Sequence, residues 1–228
     1  METIAECGGY PVLALRSEQE PTRERGLYLS AGIHGDEPAA VAGLCLWAEE
    51  HLAALADYPV VIFPCLNPWG LVYNLRADHR GRDLNRLFGR RSLSPVREWN
   101  SWLGKREFRL ALSLHEDYDA RGIYLYELAR GKEDFGERLV AGCEHWIARE
   151  PGRSVEGHRL KGGVLLRKRG IERIGDQIEG VPEAIDLYLH RAQSSMTFET
   201  PSEHSLYRRA MAQKCFIEAA MAYLEKEP

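Results

Sequence analysis

The chain has 228 residues, of which 44% are hydrophobic and 28% are charged, a composition typical of globular proteins. A formal net charge of −4 provides no overall attraction to nucleic acid or to an anionic membrane, so we expect neither as a partner. The sequence contains no run of about 18 apolar residues that could cross a bilayer.

Strand and helix patterns alternate along the chain without an internal repeat. Strands are predicted at 26–31, 59–66, 107–115, 122–128 and 194–200. Helices are predicted at 38–55, 94–103, 132–149, 182–192 and 203–225. Nearly continuous apolar strands that alternate with helices indicate an α/β fold, in which a mixed, mostly parallel and twisted sheet has helices on both faces. The length suits one domain of this kind, and we expect residues 1–228 to form it.

Local signals mark three of the predicted helix starts. Pro38 and Pro182 each open a helix, where the missing N–H of proline costs nothing. The segment TPSE at 200–203 precedes the last helix, and we interpret it as a cap followed by an acidic first turn.

Two stretches rich in glycine and charge separate these elements. Residues 74–91 are strongly basic and predict a loop, while residues 156–180 predict either a mobile loop or a small hairpin. Basic stretches also occur in nucleic-acid-binding patches, but these two lack interleaved aromatic residues and the chain is acidic overall.

Five cysteines are scattered along the chain and form no CxxC pair. An odd, scattered set indicates a reducing compartment rather than a disulfide framework. The N-terminal segment lacks the basic stretch followed by an apolar one that marks a secretory signal. We therefore expect a cytoplasmic protein.

Polar side chains follow four of the predicted strands. His34 and Glu37 come after the first strand, Asn67 follows the second, His115 ends the third and Glu199 ends the fifth. Ligands of open α/β sheets gather beyond the carboxyl ends of the strands. We therefore expect these side chains to converge on one edge of the sheet.

The turn AGIHGDEP at 31–38 has the residues of half a metal site. A catalytic zinc takes three protein ligands, often two histidines and a glutamate. His34 and Glu37, three positions apart in a turn with glycines, can point to one centre, and His115 would complete the set. The residues alone also allow another interpretation: His34 as a turn residue, Glu37 as an acid favoured by a helix N-terminus, and His115 as a polar strand end.

Five short motifs follow one another along the chain: HGDEP at 34–38, NPWG at 67–70, R-x4-G-x-DLNR at 76–86, a strand-terminal histidine at 115, and FET at 198–200. In this combination and order the chain resembles the zinc metallocarboxypeptidase family of carboxypeptidase A. That family also takes in bacterial murein peptide amidases and, more distantly, succinylglutamate desuccinylase and aspartoacylase. The resemblance spans about residues 26–201 and implies a carboxypeptidase-like α/β fold.

The resemblance implies that one Zn²⁺ is held by His34, Glu37 and His115. It also implies that Glu199 is the general base, since a carboxylate beside the attacking water can take its proton and return it to the leaving amine. An alternative is that Glu199 is a buried charge paired with an arginine. A carboxylate at the end of a buried strand is costly without such a partner or a function.

Further roles are implied for the basic segment. Arg76 would polarise the scissile carbonyl and stabilise the oxyanion. Asn85 and Arg86 would hold the terminal carboxylate of the substrate, because a guanidinium fork binds a carboxylate at two points. We expect Asp83 to orient a ligand histidine rather than to bind the metal, and Arg80 and Arg82 to be solvated loop charges.

The chain departs from the digestive carboxypeptidases in three ways. The interval between Glu37 and His115 is short, which favours a reduced, bacterial type of enzyme. Glu116 and Asp117 form an acidic pair that would favour a basic substrate group if it faced the pocket, and would have no such role if it pointed to solvent. A catalytic tyrosine has no assignable counterpart, because no motif selects among the three tyrosines at 124, 126 and 188.

The sequence thus predicts a zinc-dependent hydrolase that cleaves a peptide or amide bond next to a free carboxylate. An N-acyl amino acid deacylase is the second alternative, and a zinc-pocket protein without catalysis is the third, although Glu199 and Arg76 are both present. The sequence has no GxSxG, GxxxxGK[ST] or GxGxxG motif of another enzyme class. Substrate side chain, oligomeric state and the number of metal ions stay open.

Overall fold

The structure is a computed structural model that describes residues 1–51, 53–56, 58–130, 135–168, 170–174 and 179–226. Strands occur in this part of the chain at β1 (Glu2–Cys7), β2 (Tyr10–Arg16), β3 (Leu27–Ser30), β4 (Val60–Phe63), β5 (Phe108–Asp117), β6 (Tyr124–Ala129), β7 (Ser154–Val155), β8 (His158–Arg159), β9 (Val164–Arg167) and β10 (Ala192–Pro201). The α-helices given for the described residues are α1 (Pro38–His51), α2 (Pro68–Tyr73), α3 (Val96–Leu103), α4 (Gly136–Cys143), α5 (Glu183–His190) and α6 (Leu206–Lys226).

Eight strands form the main sheet, in the order β1-β2-β4-β3-β5-β10-β6-β9. The pairings of β4 with β3, β3 with β5, β5 with β10, and β6 with β9 are parallel, whereas β1, β2 and β6 add antiparallel pairs. The predicted mixed sheet with a parallel centre is confirmed.

Alternating side chains of the central strands pack into two cores, one on each face of the sheet. Leu27 and Leu29 of β3 join the core that α1, α4 and α6 cover. Tyr28 points the other way, into the core that includes Trp99 of α3 and Leu187 of α5. Helices therefore cover both faces, which explains why these strands are apolar throughout rather than alternating. None of the helices in the described ranges combines the length and apolarity that crossing a bilayer requires.

All five predicted strands are present, but three sheet strands were not predicted. β1 and β2 form an antiparallel hairpin at one edge, and β9 pairs with β6 at the other. β1 (ETIAEC) and β9 (VLLR) are the two edge strands, and a half-polar or very short segment gives only a weak strand pattern. For residues 156–180 the hairpin alternative is supported in part, since β7 and β8 pair before β9 begins.

The helix predictions are correct in type but too long at several ends. α1 stops at His51, and a single 3-10 turn follows at Ala54–Ala56. Of the predicted helix 132–149, residues 132–134 lie outside the described residues and α4 ends at Cys143.

The predicted cap at 200–203 is wrong. β10 continues to Pro201, which pairs with Asp117, so α6 begins only at Leu206. Ser205 lies just before this helix, and its hydroxyl accepts a hydrogen bond from the Arg208 amide at 3.4 Å.

Candidate metal centre

The three strands β3, β5 and β10 are adjacent and parallel, so their carboxyl ends meet at one edge of the sheet. Ser30 pairs with Ser113 in the register of β3 and β5, and Glu199 pairs with His115 in that of β10 and β5. The turn with His34 leaves β3 at this edge and leads directly into α1. The predicted convergence of strand ends is therefore present.

His34, Glu37 and His115 form a buried cluster at this edge. Nδ1 of His34 lies 2.6 Å from Oε1 of Glu37, and Nδ1 of His115 lies 2.9 Å from Oε2 of the same carboxylate. One ligand atom from each residue lies within 4.8 Å of the other two. This is the spacing of side chains that can bind a common metal ion.

The cluster fits a divalent metal ion better than it fits a closed hydrogen-bond network. No hydrogen bond reaches the buried Oε2 of Glu37 within the described residues, because the nearby His115 nitrogen is not aligned to donate. A buried carboxylate oxygen without a donor is rare and requires an explanation. Two imidazole nitrogens and one carboxylate are the donor set of a catalytic zinc site.

Electrostatic interactions favour the ionised form of Glu37. Burial by itself would raise the pKa of this carboxyl, but the charges of His115 and His34, together with the hydrogen bond to Nδ1 of His34, outweigh burial and lower the pKa to about 2. For the two histidines the effects have the opposite sign. Burial would lower the pKa of each imidazole, but the neighbouring carboxylates outweigh burial and raise it. Glu37 is therefore a carboxylate, the form that a metal ligand must have.

The turn containing His34 is packed tightly against the start of α2. A Cβ atom on Gly35 would lie 1.9 Å from the carbonyl carbon of Gly70, so only glycine allows this approach. The Gly35 amide also donates to the carbonyl of Leu75 at 3.1 Å. The glycines of HGDEP and NPWG thus place the two motifs in direct backbone contact.

Asn67 connects the NPWG motif to the segment that carries Arg76. Its Oδ1 caps α2 by accepting from the Gly70 amide at 2.9 Å, and its Nδ2 donates to the carbonyls of Arg76 at 3.3 Å and Ala77 at 3.1 Å. The side chain therefore fixes the backbone from which the Arg76 guanidinium extends.

Asp83 links Arg76 to the cluster. Its Oδ1 lies 3.2 Å from Nε2 of His34, and its Oδ2 accepts from Nε and Nη2 of Arg76 at 3.3 and 3.2 Å. Nη1 of Arg76 is 3.7 Å from Oε1 of Glu37, and the arginine side chain is 46% exposed. Asp83 touches the side of His34 away from Glu37, as expected of a group that orients a ligand.

Glu199 lies beside His115 on the neighbouring strand and is nine-tenths buried. It has neither a hydrogen bond nor an arginine partner in the part of the chain that the structure describes. Burial, with the charges of Glu37 and Asp117, raises the pKa of Glu199 to about 8 against the opposing effect of His115. Such a carboxyl is suited to taking up and releasing a proton near neutral pH.

Asn85 and Arg86 lie in the 3-10 turn that follows Asp83, the residue that contacts His34 of the cluster. The Asn85 amide donates to Oδ1 of Asp83, and its side-chain Oδ1 accepts from the Glu183 amide, both at 2.9 Å. Nη1 of Arg86 donates to the carbonyl of Asn85 at 3.0 Å. Neither side chain contacts the three clustered residues. Because Oδ1 of Asn85 accepts from Glu183, and Nδ2 donates no hydrogen bond within the described residues, Nδ2 can donate to a ligand.

Two expectations about charged residues are wrong. Arg82 is not a solvated loop charge, since its Nε donates to Oδ2 of buried Asp78 at 2.9 Å. Glu116 faces neither the pocket nor solvent: it is buried, accepts from the Ala39 amide at 2.6 Å and forms an ion pair with Arg209. Arg80 is exposed, as expected.

The three tyrosines considered for a catalytic role occupy different surroundings. Tyr124 faces Glu199 in the strand register and donates to Oδ2 of Asp117 at 2.8 Å. Burial and the charge of Glu199 raise the Tyr124 pKa well above its usual value. Tyr126 stacks edge-on with Tyr124, whereas Tyr188 packs in a separate cluster beneath Arg130.

Several buried polar groups around the cluster were not predicted from the sequence. The carboxylate of Glu183 accepts hydrogen bonds from Ser30 at 2.9 Å, from Ser113 at 3.2 Å and from Tyr28. Gln213 of α6 donates to the carbonyl of His115. In the sequence Glu183 has the pattern of an ordinary acid in a first helical turn and Gln213 that of a polar residue in a helix, so no local signal distinguishes them.

Comparison with known proteins gives two kinds of relatives. The pattern of the succinylglutamate desuccinylase/aspartoacylase catalytic domain matches residues 23–145. Murein peptide amidase A of Escherichia coli K12 is 38% identical over 89 residues, which are 38% of this chain and 36% of the amidase. The chain thus aligns with about a third of the length of that curated relative.

Solved structures share the fold. A candidate metallopeptidase from Shewanella denitrificans superposes with a TM-score of 0.81 at 18% identity, covering 97% of this chain and 82% of its own. A metallo-carboxypeptidase from Pseudomonas aeruginosa superposes with a TM-score of 0.63 at 15% identity, covering 100% of this chain and 64% of its own. At these identities the similarity establishes the fold.

Proposed function

Because the chain belongs to the succinylglutamate desuccinylase/aspartoacylase catalytic domain family, we propose that it is a zinc-dependent hydrolase that cleaves a peptide or amide bond next to a free carboxylate. The observation that carries the proposal is the buried cluster of His34, Glu37 and His115, in which one carboxylate oxygen accepts no hydrogen bond from the part of the chain that the structure describes. The proposal also treats residues 1–228 as one catalytic domain.

These three side chains would hold one Zn²⁺, which when bound supplies Lewis-acid chemistry: it polarises a carbonyl and lowers the pKa of water from 15.7 to about 7. Glu199 would accept the proton of the attacking water on its carboxylate and return it to the leaving amine. Its place beside His115 supports this role, and the positive charge of a bound Zn²⁺ would favour the ionised form that the role requires.

The basic segment would orient the substrate. Arg76 is near the cluster and half-exposed, so its guanidinium can stabilise charge that develops on the carbonyl oxygen. The Nδ2 group of Asn85 and the guanidinium of Arg86 would bind the free carboxylate of the substrate. Both residues lie in the 3-10 turn after Asp83. A guanidinium and an amide donor at fixed separation recognise a carboxylate in one orientation.

Two observations favour different substrates within this reaction. The local identity to murein peptide amidase A supports a peptide substrate, which we rank first. The matching family pattern supports hydrolysis of an N-acyl amino acid, our second candidate. Retention of Glu199 and Arg76 argues against a zinc-binding protein without catalysis.

The test is metal analysis of the purified protein combined with a substrate panel. We expect about one zinc per chain, hydrolysis of peptides with a free C-terminal carboxylate, loss of activity with a chelator and recovery when Zn²⁺ is added. The panel should also include peptides with an amidated C-terminus, N-succinyl amino acids and N-acetyl amino acids.

Each result has a distinct meaning. Turnover only of the acyl amino acids would reverse our ranking and identify a deacylase. Equal turnover of amidated peptides would remove the carboxylate-binding role of Asn85 and Arg86. A protein that binds no zinc under any loading condition would contradict the proposal as a whole.

A further inference from the structure

We propose that Arg209 and Gln213 of α6 form a positioning pair that sets the distances between the Glu37, His115 and Glu199 side chains. The inference rests on the proposed function and adds to it residues outside the pocket. The two side chains are one helical turn apart on the same face of α6, so both reach the carboxyl-terminal edge of the sheet.

The Arg209 half of the pair acts through Glu116. Oε1 of Glu116 accepts from the Ala39 amide at 2.6 Å, and Oε2 forms an ion pair with Nη1 of Arg209. Glu116 directly follows His115 in β5, and Ala39 lies two residues after Glu37 in α1. One buried carboxylate therefore joins the two segments that supply metal-binding side chains, and Arg209 neutralises its charge.

The Gln213 half acts on the two strands directly. Its Nε2 donates to the carbonyl of His115 at 2.7 Å and to the hydroxyl of Thr200 at 3.1 Å, and the side chain is fully buried. Thr200 directly follows Glu199 in β10. One amide group thus joins the end of the strand with His115 to the end of the strand with Glu199.

The helix that carries the pair is held in a fixed position. The ring of Phe216 in α6 stacks on Phe198, the residue before Glu199, at 4.1 Å between ring centroids. On the other side, a Cβ atom on Gly43 of α1 would lie 2.5 Å from Cβ of Gln213. Close packing against both β10 and α1 leaves the pair little freedom to follow movements of the strand ends.

A role in positioning differs from a role in stability alone. A residue that only stabilises the fold leaves the affinity and symmetry of the metal site unchanged in molecules that remain folded. Groups that orient metal ligands typically change metal affinity by about 10- to 100-fold when they are removed. Metal affinity and the spectrum of a substituted metal therefore separate the two roles.

The test compares Arg209→Met and Gln213→Met with Arg208→Met. Arg208 is the matched control, because it is the adjacent arginine of the same helix and donates to the carbonyl of Trp146 rather than to the strand ends. For each protein the Kd for Zn²⁺ is measured by chelator competition, and the visible absorption spectrum of the Co²⁺-substituted form is recorded. Circular dichroism selects the variants that are folded.

We expect the Kd for Zn²⁺ to rise about 10- to 100-fold in Arg209→Met and Gln213→Met, with altered Co²⁺ spectra and kcat reduced more than KM is raised. Arg208→Met should keep the affinity and spectrum of the wild type. Arg209→Lys, which retains a positive charge near Glu116, should recover part of the affinity. If Arg209→Met does not fold, Gln213→Met and the smaller rise in Kd expected for Arg209→Lys carry the comparison.

The outcomes separate this inference from the proposed function. A wild-type protein that binds no zinc overturns the proposed function and this inference with it. A wild-type protein that binds zinc and hydrolyses substrate, with folded variants at positions 209 and 213 that keep its Kd and Co²⁺ spectrum, overturns this inference alone.

Discussion

At the scale of single residues, the central feature is one carboxylate between two imidazoles. Glu37 presents Oε1 to His34 and Oε2 to His115, and its own pKa is held low by those two neighbours. Glu199 has the opposite setting, since burial and nearby carboxylates raise its pKa to about 8. Two glutamates in one pocket thus have different protonation behaviour: Glu37 is held ionised, as a ligand must be, whereas Glu199 can exchange a proton near neutral pH.

The first prediction concerns Glu199→Gln. The amide cannot accept the proton of the attacking water, so kcat should fall by about 10²- to 10⁴-fold while the zinc content stays that of the wild type. The measurements are steady-state kinetics on the best substrate of the panel and metal analysis of the same sample.

Glu156→Gln is the control for this prediction. Glu156 is an exposed carboxylate that accepts from the Tyr126 hydroxyl at 3.2 Å and lies within electrostatic range of Glu199. Its loss should change kcat little. Full activity in Glu199→Gln would mean that another group accepts the proton, and the mechanism proposed for this site would be wrong.

At the scale of elements, α1 and α6 pack closely against each other beside the strand ends that carry the site. α1 begins at Pro38, directly after Glu37, and α6 carries the positioning pair. The two helices approach closely at Gly43, where an added Cβ would lie 2.5 Å from Cβ of Gln213 and 2.6 Å from the carbonyl oxygen of Ala210. A side chain at this position would have to push the helices apart.

The second prediction compares Gly43→Ala with Gly142→Ala. Overpacking at Gly43 should lower the free energy of unfolding by about 1–3 kcal/mol. Gly142 is an exposed glycine of α4 whose added Cβ would lie 3.8 Å from the nearest atom, Cβ of Ala219. There, alanine should raise the free energy of unfolding by up to about 1 kcal/mol.

Urea unfolding of the three proteins measures both values. Because the substitution is the same in both helices, helix propensity contributes equally, and the difference reports the contact with α6. Equal effects at the two positions would show that the α1–α6 approach tolerates a methyl group.

At the scale of the whole molecule, the side chains proposed to bind zinc come from segments remote in sequence and come together only in the folded chain. His34 and Glu37 belong to the turn before α1, and His115 belongs to β5. Zinc bound to this cluster would therefore bind the native state and not the unfolded chain. Ligand binding of this kind stabilises a protein by RT ln(1 + [L]/Kd).

The third prediction is a zinc-dependent Tm. Free Zn²⁺ at about 100 times Kd should add about 2.7 kcal/mol of stability, which corresponds to roughly 5–10 °C for a chain of this size. His34→Gln should abolish the increase, whereas His51→Gln should retain it. His51 is the control because its Nδ1 contacts the carbonyl of Trp47 in α1, away from the cluster. A Tm that does not respond to zinc in the wild type would contradict metal binding at these residues.

Much of this fold and of the site could be predicted from local patterns. Strands such as β3 and β5 are mostly apolar on both faces up to their carboxyl ends because they lie at the centre of the sheet with both faces covered, and that pattern is visible in the sequence. His34, Glu37 and His115 were predicted together because they stand at the ends of such strands. Their short motifs contain both the chemistry and the glycines that the tight turn needs.

The partners of charged residues could not be predicted in this way. Glu116 follows His115 and has the sequence pattern of an acid at the edge of a pocket, yet it is buried against Arg209, which lies 93 positions further along the chain. Arg82 has the sequence pattern of a solvated loop charge, yet it forms an ion pair with buried Asp78. The spacing of two residues along the chain does not give the distance between their side chains when they are remote in sequence. The energy of a buried ion pair depends on that distance and on the loss of solvent.

What the sequence by itself determined is which residues end the central strands and which chemistry they offer. Only the tertiary structure decided which nitrogen faces which oxygen, that Oε2 of Glu37 has no donor among the described residues, and that Arg209 and Gln213 of α6 reach the strand ends. The physical reason is that apolar periodicity is a local property, set by burial along one strand. Hydrogen bonds and ion pairs among buried groups arise from the packing of elements that are distant in sequence.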